Sequence, residues 1–222
     1  MDEVFIFWPI IIDGTLTTIK LTLASGVVAL IISFTIGLSR LSRYWVVRAI
    51  ATIYLEFFRG TSAIVQMFFM YFVLPLLGVF LPALIAGIVA CGFNLGAYGS
   101  EVVRASVQSV GREQREAAKA LNYTNFQLYR YVLIPQAIPV MIPSFGNLVI
   151  ELLKLTAVAS LITISDLTFM SQIIRVQTAL TLEPLILIMV IYFILSSILV
   201  SGTKWLERYF SAGRNIHKSG GN

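Results

Sequence analysis

Charged residues are scarce in this chain of 222 residues. Asp, Glu, Lys and Arg make up 12% of it, whereas a soluble domain averages about 25%. Hydrophobic residues make up 58%, which leaves too little polar surface to cover a water-soluble globule of this size. The apolar residues also form long runs without charge, as the interior of a bilayer demands. The sequence therefore predicts an integral membrane protein.

Cysteine and histidine each occur once, which excludes several kinds of site. Cys91 lies in an apolar stretch and can form no disulfide within the chain. His217 lies in a polar tail and has no histidine or cysteine near it in sequence, so no metal site and no catalytic set is predicted. The sequence also lacks Gly-x-x-x-x-Gly-Lys-Ser/Thr, the loop that cradles the phosphates of ATP. We expect no enzymatic activity and no cofactor on this chain, so a partner must supply any ATP hydrolysis.

Five apolar runs are long enough to cross a membrane, which takes about 20 residues at a rise of 1.5 Å. No charge occurs between Arg59 and Glu101, a length that suffices for two helices separated near Gly78 and Pro82. The sequence predicts an all-α membrane protein, a single transmembrane domain over 1–210, with spans at about 15–39, 57–77, 82–103, 138–162 and 184–202. A flexible cytoplasmic tail is expected at 211–222.

The basic residues fall on one side of the predicted membrane, which explains the net charge of +5 without nucleic acid. Twelve lie in the loops and tail of that side: Arg40, Arg43, Arg48, Arg104, Arg112, Arg115, Lys119, Arg130, Lys204, Arg208, Arg214 and Lys218. The opposite side has Arg175 together with the acidic Asp2, Glu3 and Asp13. The positive-inside rule therefore predicts the N-terminus outside and the C-terminus in the cytoplasm.

The predicted cytoplasmic loop, 104–135, is too long for a simple connection and has regular helical patterns. Gly111 to Leu121 predicts a short helix, and Asn122 after it tolerates the left-handed conformation that ends helices. Thr124 and Gln127 form a capping box that opens a second short helix, which we expect to end before Pro135. The sequence therefore predicts an angled pair of helices on the cytoplasmic face.

Small apolar residues framed by charge suit the first of these helices to docking in a groove of another protein. The residues concerned are Ala117, Ala118 and Leu121. The alternative is a solvated helix held by salt pairs between residues four apart, and the helix pattern alone does not decide between the two.

The loop closely resembles the EAA loop of ABC importer permeases. The matching residues are Glu-Ala-Ala at 116–118, Lys-Ala-Leu-Asn at 119–122 and Val-Leu-Ile-Pro at 132–135. In that family the loop couples the permease to its ATPase, which implies a coupling role for Glu116, Ala117, Ala118, Leu121 and Asn122. Asn122 stands where the family has glycine, and asparagine can adopt the same left-handed geometry.

Further segments resemble the polar amino acid uptake subfamily. They are Gly-Thr-Leu-Thr-Thr at 14–18, Glu-Phe-Phe-Arg-Gly-Thr at 56–61, Gln66, Ala97-Tyr98, Glu101, Arg104 and Pro-Gln-Ala at 135–137. The segments at 59–63, 120–122 and 160–169 are most similar to ectoine and hydroxyectoine permeases. The sequence departs from the subfamily at Ser62, where proline is usual, and at Leu155 and Ala157, in place of a Lys-Asp/Asn-Thr-Ser stretch.

The resemblance implies a type I importer in the bacterial inner membrane. In such an importer, two permease subunits, identical or similar, stand above two ATP-binding subunits and below an extracytoplasmic solute-binding protein.

Two polar stripes occur at membrane depth, where charged groups usually face protein or water. Asn94, Tyr98 and Glu101 share one helical face, and Asn147, Glu151 and Lys154 have the same spacing. We expect these six residues to line the path of a solute. Because the fourth span has one acid and one base, and no surplus of acid, a net-neutral or zwitterionic solute is favoured.

Each stripe also has a structural alternative. Glu151 and Lys154 can pair with each other and hold helices together, and Glu101 can anchor the coupling loop against Arg104. Glu56 and Arg59 are expected to form an interfacial salt pair or gate.

Two further alternatives concern the external segment and the function. The segment 163–183 is either a helix that covers the path or meets a receptor, or an ordinary solvated loop helix. The competing function is a membrane anchor for a cytoplasmic complex, in which the polar stripes would be dispensable.

Overall fold

The computed structural model describes residues 7–212, with side chains as far as residue 210. All regular structure in that range is helical, which confirms the predicted fold class. The predicted features that lie outside the described residues are Asp2, Glu3, Arg214, His217, Lys218 and the predicted tail except for residues 211–212.

The helices are, in chain order, α1 (Trp8–Ser39), α2 (Trp45–Gly60), α3 (Ala63–Phe68), α4 (Ala83–Gln108), α5 (Arg112–Ala120), α6 (Asn125–Gln127), α7 (Ile134–Thr156), α8 (Leu167–Thr178) and α9 (Leu182–Ala212). Irregular turns extend three of them: Phe69–Val73 and Leu74–Leu77 follow α3, Leu128–Leu133 joins α6 to α7, and Ala157–Ile162 follows α7.

Four helical segments are long and apolar enough to cross a membrane: Trp8–Ser39, Ala83–Gln108, Asn125–Ile162 and Leu182–Phe210. The segment predicted as a span at 57–77 differs, because α2 and the extended α3 meet at an angle of 101°. Thr61 and Ser62 between them both have extended backbone. With this bent pair counted as one span, residues 7–212 contain up to five.

The α1–α4 contact is close because α4 presents glycine to it. A Cβ atom added to Gly96 would lie 2.6 Å from Ile32 Cγ2, and one added to Gly99 would lie 2.0 Å from Ser33 Oγ. Gly92 is equally confined. Small residues allow the backbones of membrane helices to approach, and the resulting contacts replace the hydrophobic effect that is missing within a bilayer. The α1–α4 pair therefore forms a rigid frame for the other helices.

The loop around α5 has the local structure that its sequence predicts at most positions. Gly111 and Leu121 cap α5, and Asn122 follows with a positive φ of 57°. The predicted capping box is present: Thr124 Oγ1 accepts a hydrogen bond from Gln127 N, and Thr124 N donates to Gln127 Oε1 at 2.9 Å.

The second short helix does not end before Pro135, so that prediction was wrong. The chain runs from α6 through the π-helical turn Leu128–Leu133 directly into α7, and Pro135 lies in the first turn of α7. A π-helical turn inserts an extra residue into the helical ladder and commonly adjoins proline or other interruptions. The loop that contains α5 and α6 is thereby joined to a membrane span by continuous helix.

Helix α8 is anchored at its start by a buried carboxylate. Asp166 is fully buried and caps α8, because Oδ1 accepts a hydrogen bond from Phe169 N at 2.9 Å and Oδ2 accepts from Thr168 N at 3.3 Å. The Tyr192 hydroxyl of α9 donates to Oδ2 at 3.4 Å. Burial raises the pKa of the Asp166 carboxyl above its usual range, and the hydrogen bonds from Phe169 and Thr168 offset part of that rise.

The same helix packs on α1. A Cβ atom on Gly14 would lie 3.0 Å from Leu167 Cα and 2.9 Å from Met170 Cγ, and Thr18 Oγ1 accepts a hydrogen bond from Leu167 N. The start of α8 is thus part of the folded body and not a solvated loop helix. Its later residues Gln172 and Arg175 remain exposed.

Candidate functional site

A cavity of about 350 Å³ lies at the break between α2 and α3. We call it the bend cavity. Its lining comes from the break and from facing positions on α4 and α7: Arg59, Gly60, Thr61, Ser62, Ala63, Asn94, Leu95, Tyr98, Glu151 and Leu155. Three of the six residues predicted to line a solute path, namely Asn94, Tyr98 and Glu151, are therefore brought together in one cavity.

Opposite charges meet at the bend cavity. The Arg59 guanidinium lies over the Tyr98 ring, with 5.4 Å between Cζ and the ring centroid. Glu151 reaches the cavity from α7, and among the described residues its exposed carboxylate has no ion-pair partner. The predicted salt pair between Glu56 and Arg59 is not formed among the described residues, whereas a gate or a solute contact at these residues stays a prediction. The cavity thus presents one cation and one anion to any solute.

A second cavity, of about 520 Å³, continues along α4 and α7 towards α5. We call it the α4–α7 groove, and its lining is Arg59, Tyr98, Glu101, Val102, Ala105, Ser106, Ser109, Val140, Ser144 and Leu148. Because Arg59 and Tyr98 line both cavities, the two adjoin. Together they form a polar trough along one side of the membrane-spanning helices.

Glu101 lines the α4–α7 groove and is also fixed by two arginines. It forms ion pairs with Arg40, at the end of α1, and with Arg104, three residues further along α4. Arg104 in turn donates to Gln108 Oε1 at 2.7 Å. The ion pair between Glu101 and Arg104, which was the structural alternative for Glu101, is thus formed. Arg40 is a second partner that the sequence pattern did not suggest.

Asn147 and Lys154 lie outside the lining of both cavities. They are exposed on the same side of α7 as Glu151, as expected from a spacing of four and seven residues. Glu151 and Lys154 form no ion pair with each other or with any other described residue, so the alternative in which they hold helices together fails. An unpaired charge on a membrane span requires water or protein beside it. We therefore expect this side of α7 to face water or another protein surface.

The surface around α5 separates into a buried and an exposed part. Ala118 is 3% exposed and belongs to a buried cluster with residues of α4, of the turn Leu128–Leu133 and of α7, so the expectation that it is displayed for docking was wrong. Glu116, Ala117, Leu121 and Asn122 are exposed. Arg112 and Glu116 form a salt bridge of 2.7 Å between residues four apart.

Two hydrogen bonds attach α5 to the membrane helices. Arg115 donates to the Val107 carbonyl at 2.8 Å, and Gln136 Nε2 donates to Gln114 Oε1 at 3.3 Å. Helix α5 is therefore bonded to both α4 and α7, the two helices that line the trough.

Sequence patterns missed three contributors to the bend cavity: Arg59 as a lining residue, and Thr61 and Ser62 as the break itself. The signal available was a glycine followed by two hydroxyl residues within an apolar run, since such residues are enriched where helices are interrupted. No group of residues that could hold a metal ion occurs in the range 7–212.

The helical fold, the five crossings and the polar trough define a multi-pass membrane protein of the transport class. Residues 29–211 match the family described as binding-protein-dependent transport system inner membrane component, and the chain belongs to that family. Its members are transport components, which confirms the expectation that the chain is not an enzyme and that it resides in the inner membrane.

Several relatives cover most of the chain. A probable amino-acid ABC transporter permease protein of Sinorhizobium fredii is 41% identical over 206 residues, which span 86% of this chain and 87% of the relative. The L-cystine transport system permease protein of Bacillus subtilis is 32% identical over 208 residues, 91% and 89% of the two chains. A putative glutamine transport system permease protein of Rickettsia typhi is 32% identical over 199 residues, 89% and 91%. The resemblance to ABC importer permeases is thereby confirmed.

Two solved structures share the fold. An amino acid ABC transporter with histidines matches with a TM-score of 0.86 and 35% identity, covering 93% of this chain and 96% of that one. The MetNI methionine ABC transporter in an inward-facing conformation matches with a TM-score of 0.79 over 92% and 97% of the chains, at 19% identity. The second match bears on the fold alone.

Proposed function

We propose that this chain forms half of the path through which an ATP-driven importer moves an amino acid or an amino-acid-like zwitterion, with ectoine as the first candidate. The observation that carries the proposal is the row of exposed, unpaired polar groups on one side of α7. A membrane anchor has no use for Glu151 and Lys154 at membrane depth, where charged side chains cost several kcal/mol unless water or protein faces them.

A second permease subunit would complete the path. The trough is open on the side where Asn147, Glu151 and Lys154 are exposed. Two copies of the chain, or this chain and a similar sister chain, can face each other across a two-fold axis and enclose a polar passage. In this arrangement the N-terminus lies outside and the α5 surface lies in the cytoplasm.

The bend cavity suits the two charged ends of a zwitterion. The Ser62 side chain makes no capping hydrogen bond, so the first N–H groups of α3 lack partners within the helix. Interrupted membrane helices direct such N-termini at the carboxylate of a solute, and Arg59 adds a positive charge on the same side. Glu151 supplies an acceptor for an ammonium or amidinium group. The cavity volume of about 350 Å³ is at the small end of ligand sites.

Charge balance also favours a net-neutral solute. The bend cavity contains Arg59 and Glu151, one charge of each sign, and Glu101 in the adjoining groove is neutralised by Arg40 and Arg104. A dibasic cargo would meet no surplus of acid. The relatives named as a putative glutamine and an L-cystine transport system permease support an amino acid as cargo.

Coupling to the ATPase would fall on the exposed side of α5. Of the five residues assigned to coupling, Glu116, Ala117, Leu121 and Asn122 are available for contact, and Ala118 fixes the helix to the body from beneath. Two ATP-binding subunits on this side and a solute-binding protein on the other would complete the importer. ATP is bound and hydrolysed by those subunits.

Uptake by the reconstituted importer tests the proposal. Proteoliposomes containing the permease with its ATP-binding subunits and its solute-binding protein would be given radiolabelled ectoine, L-glutamine, L-cystine, L-histidine or L-lysine. We expect ATP-dependent uptake of a net-neutral solute and little uptake of L-lysine. Preferred uptake of L-lysine would refute the charge argument, and failure of every solute with the ATPase still docked would favour an anchor.

One substitution isolates coupling in the same assay. Glu116→Arg reverses a charge on the exposed side of α5 and should abolish uptake while the permease remains folded. Glu113→Arg, on the first turn of the same helix, is the matched control and should retain most uptake. Equal loss in both variants would place the ATPase contact elsewhere on α5.

A further inference from the structure

The break between α2 and α3 leaves backbone carbonyl groups without their helical partners. In water such groups are hydrated, but within a membrane span the protein must satisfy them itself. The carbonyls concerned belong to Phe58, in the last turn of α2, and to Thr61, within the break. Their partners show what holds the 101° bend in place.

Two buried amide side chains supply these hydrogen bonds. Gln66 in α3 is 6% exposed, and its Nε2 atom contacts Phe58 O at 3.0 Å, Thr61 O at 3.2 Å and Thr61 Oγ1 at 2.7 Å. Asn94 in α4 is also 6% exposed and donates from Nδ2 to Phe58 O at 3.0 Å. The Phe58 carbonyl is therefore shared by donors from two different helices.

The Gln66 amide is not needed for packing. Its Oε1 atom is buried and has no hydrogen-bond partner in the part of the chain that the structure describes. A buried polar atom without a partner is unfavourable, and an apolar side chain of the same length would avoid it. The amide instead supplies a hydrogen-bond donor, Nε2, which links α3 to the Phe58 carbonyl of α2 across the break.

We infer that Gln66 is a positioning residue for the bend cavity, with Asn94 as its second anchor. Gln66 does not line the cavity, but Thr61, to which it is bonded, does. By holding α2 and α3 at their angle, it keeps the N-terminus of α3 and the Arg59 guanidinium at the same cavity wall. The inference rests on the proposed role of the bend cavity but not on the identity of the solute.

The angle of the break can be measured directly in the assembled importer. Spin labels at Ile53 in α2 and Phe69 after α3, both exposed, would be introduced into a Cys91→Ala background. The labelled permease would be mixed with an excess of unlabelled permease before assembly, so that a labelled complex contains one labelled copy. Gln66→Met retains the length of the side chain and removes the amide, so the distance between labels should lengthen and broaden. Gln172→Met, in α8 far from the break, should leave it unchanged.

A second readout reports the cavity itself without any solute. Ser62→Cys places a single exposed thiol at the N-terminus of α3 in the same background. Relative to their rates with a free thiol in solution, we expect a sulfonate-bearing methanethiosulfonate to be favoured over a trimethylammonium-bearing one, because Ser62 adjoins Arg59 on one wall of the cavity whereas Glu151 reaches the cavity from α7. Gln66→Met should reduce this charge preference about threefold, the size expected for a solvent-screened charge contact, because Arg59 would no longer be held at that wall. Asn94→Leu should reduce it less, since Gln66 still contacts the Phe58 carbonyl.

The outcomes separate the parts of the inference. A longer distance together with a reduced charge preference supports it. An unchanged distance in Gln66→Met overturns the role of Gln66 in the bend. A longer distance with an unchanged charge preference overturns positioning of the cavity. Both readouts are independent of uptake, so failure of transport cannot produce or conceal either result.

Discussion

One face of α4 presents Gly92, Gly96 and Gly99 to α1, whereas the opposite face presents Tyr98 and Glu101 to the polar trough. On the glycine face, added Cβ atoms would lie 2.0 to 2.6 Å from α1. On the polar face there is open volume. A single helix thus separates a close-packed contact from a space that can admit a solute.

The difference shows how a chain with few charges distributes them. Packing within a bilayer depends on close approach of small residues, because lipid supplies no hydrophobic drive between helices. Polar groups are then free to gather where water enters. Arg59, Tyr98, Glu101 and Glu151 occupy that side, and among them Glu101 alone has ion-pair partners among the described residues.

The largest effect should come from filling the glycine face. Gly99→Leu would place Cβ 2.0 Å from Ser33 Oγ, and overpacking of this kind costs about 1–3 kcal/mol and occasionally more. We expect loss of the folded permease, measured as thermal unfolding in detergent. Gly202→Ala, whose added Cβ would have no neighbour within 4 Å, is the control and should be neutral or slightly stabilising. Equal tolerance of both changes would contradict a close-packed α1–α4 contact.

The next effect concerns the polar face and should spare stability. Glu151→Leu removes the unpaired carboxylate of the bend cavity, so uptake of a zwitterion should fall about 30- to 150-fold, as expected for loss of a charged contact worth about 2–3 kcal/mol. The unfolding temperature should not fall, because no ion pair is broken. Phe193→Leu, at an exposed apolar position of α9, should leave uptake intact. A destabilised Glu151→Leu protein with normal uptake would reverse the assignment.

A smaller loss of stability is expected at Glu101, whose ion pair with Arg40 joins the polar face of α4 to the end of α1. Glu101→Gln leaves Arg40 and Arg104 without their counter-ion, but the carboxylate side chain is 34% exposed and solvent screens the pair. We expect a loss of about 1 kcal/mol or less that diminishes with added salt. Glu116→Gln breaks the far more exposed pair with Arg112 and should change stability by about 0.5 kcal/mol at most. Equal losses of stability in Glu101→Gln and Glu116→Gln at low salt would contradict the expected difference between a half-buried and an exposed ion pair.

The smallest effect lies outside the membrane helices, at Asp166. Because burial raises the pKa of this carboxyl, the folded state favours its protonated form. The contribution of the Asp166 carboxyl to the free energy of unfolding is fully present below its pKa in the unfolded chain, about 3.9. That contribution is lost as the pH rises through its pKa in the folded protein. The unfolding temperature of the native protein should therefore decline over that range. Asp166→Asn retains an oxygen for the helix cap and should flatten the decline, whereas Asp13→Asn, at an exposed position, should not.

The periodic features of the chain were predictable from sequence, and the features that depend on distant contacts were not. Asn94, Tyr98 and Glu101 share a face by spacing alone. The partner Arg40 is 61 residues from Glu101 and could not be inferred from local pattern. Ala118 was expected at the surface because its neighbours are charged, and it is buried in a cluster whose members come from α4, the turn Leu128–Leu133 and α7.

The break at Thr61 and Ser62 shows the same limit. Hydropathy treats 57–77 as one apolar span, since Gly60, Thr61 and Ser62 are tolerated in membrane helices. The bend is stabilised by Gln66 from the next turn and by Asn94 from another helix. Only the second contact is long-range, so a glutamine shortly after Gly-Thr-Ser is a local signal that could have indicated the break.

Thiol reactivity along α4 tests the central claim most directly. Cysteine would replace one residue of α4 at a time in a Cys91→Ala importer reconstituted with its partners. The positions on the trough side are Tyr98, Ala105 and Ser109, and the positions on the buried side are Ser100 and Val103. A membrane-impermeant thiol reagent would be applied from both sides during ATP turnover. The account predicts modification at 98, 105 and 109 that solute slows, and none at 100 and 103. Equal reactivity on both faces, or protection of all five, would contradict it.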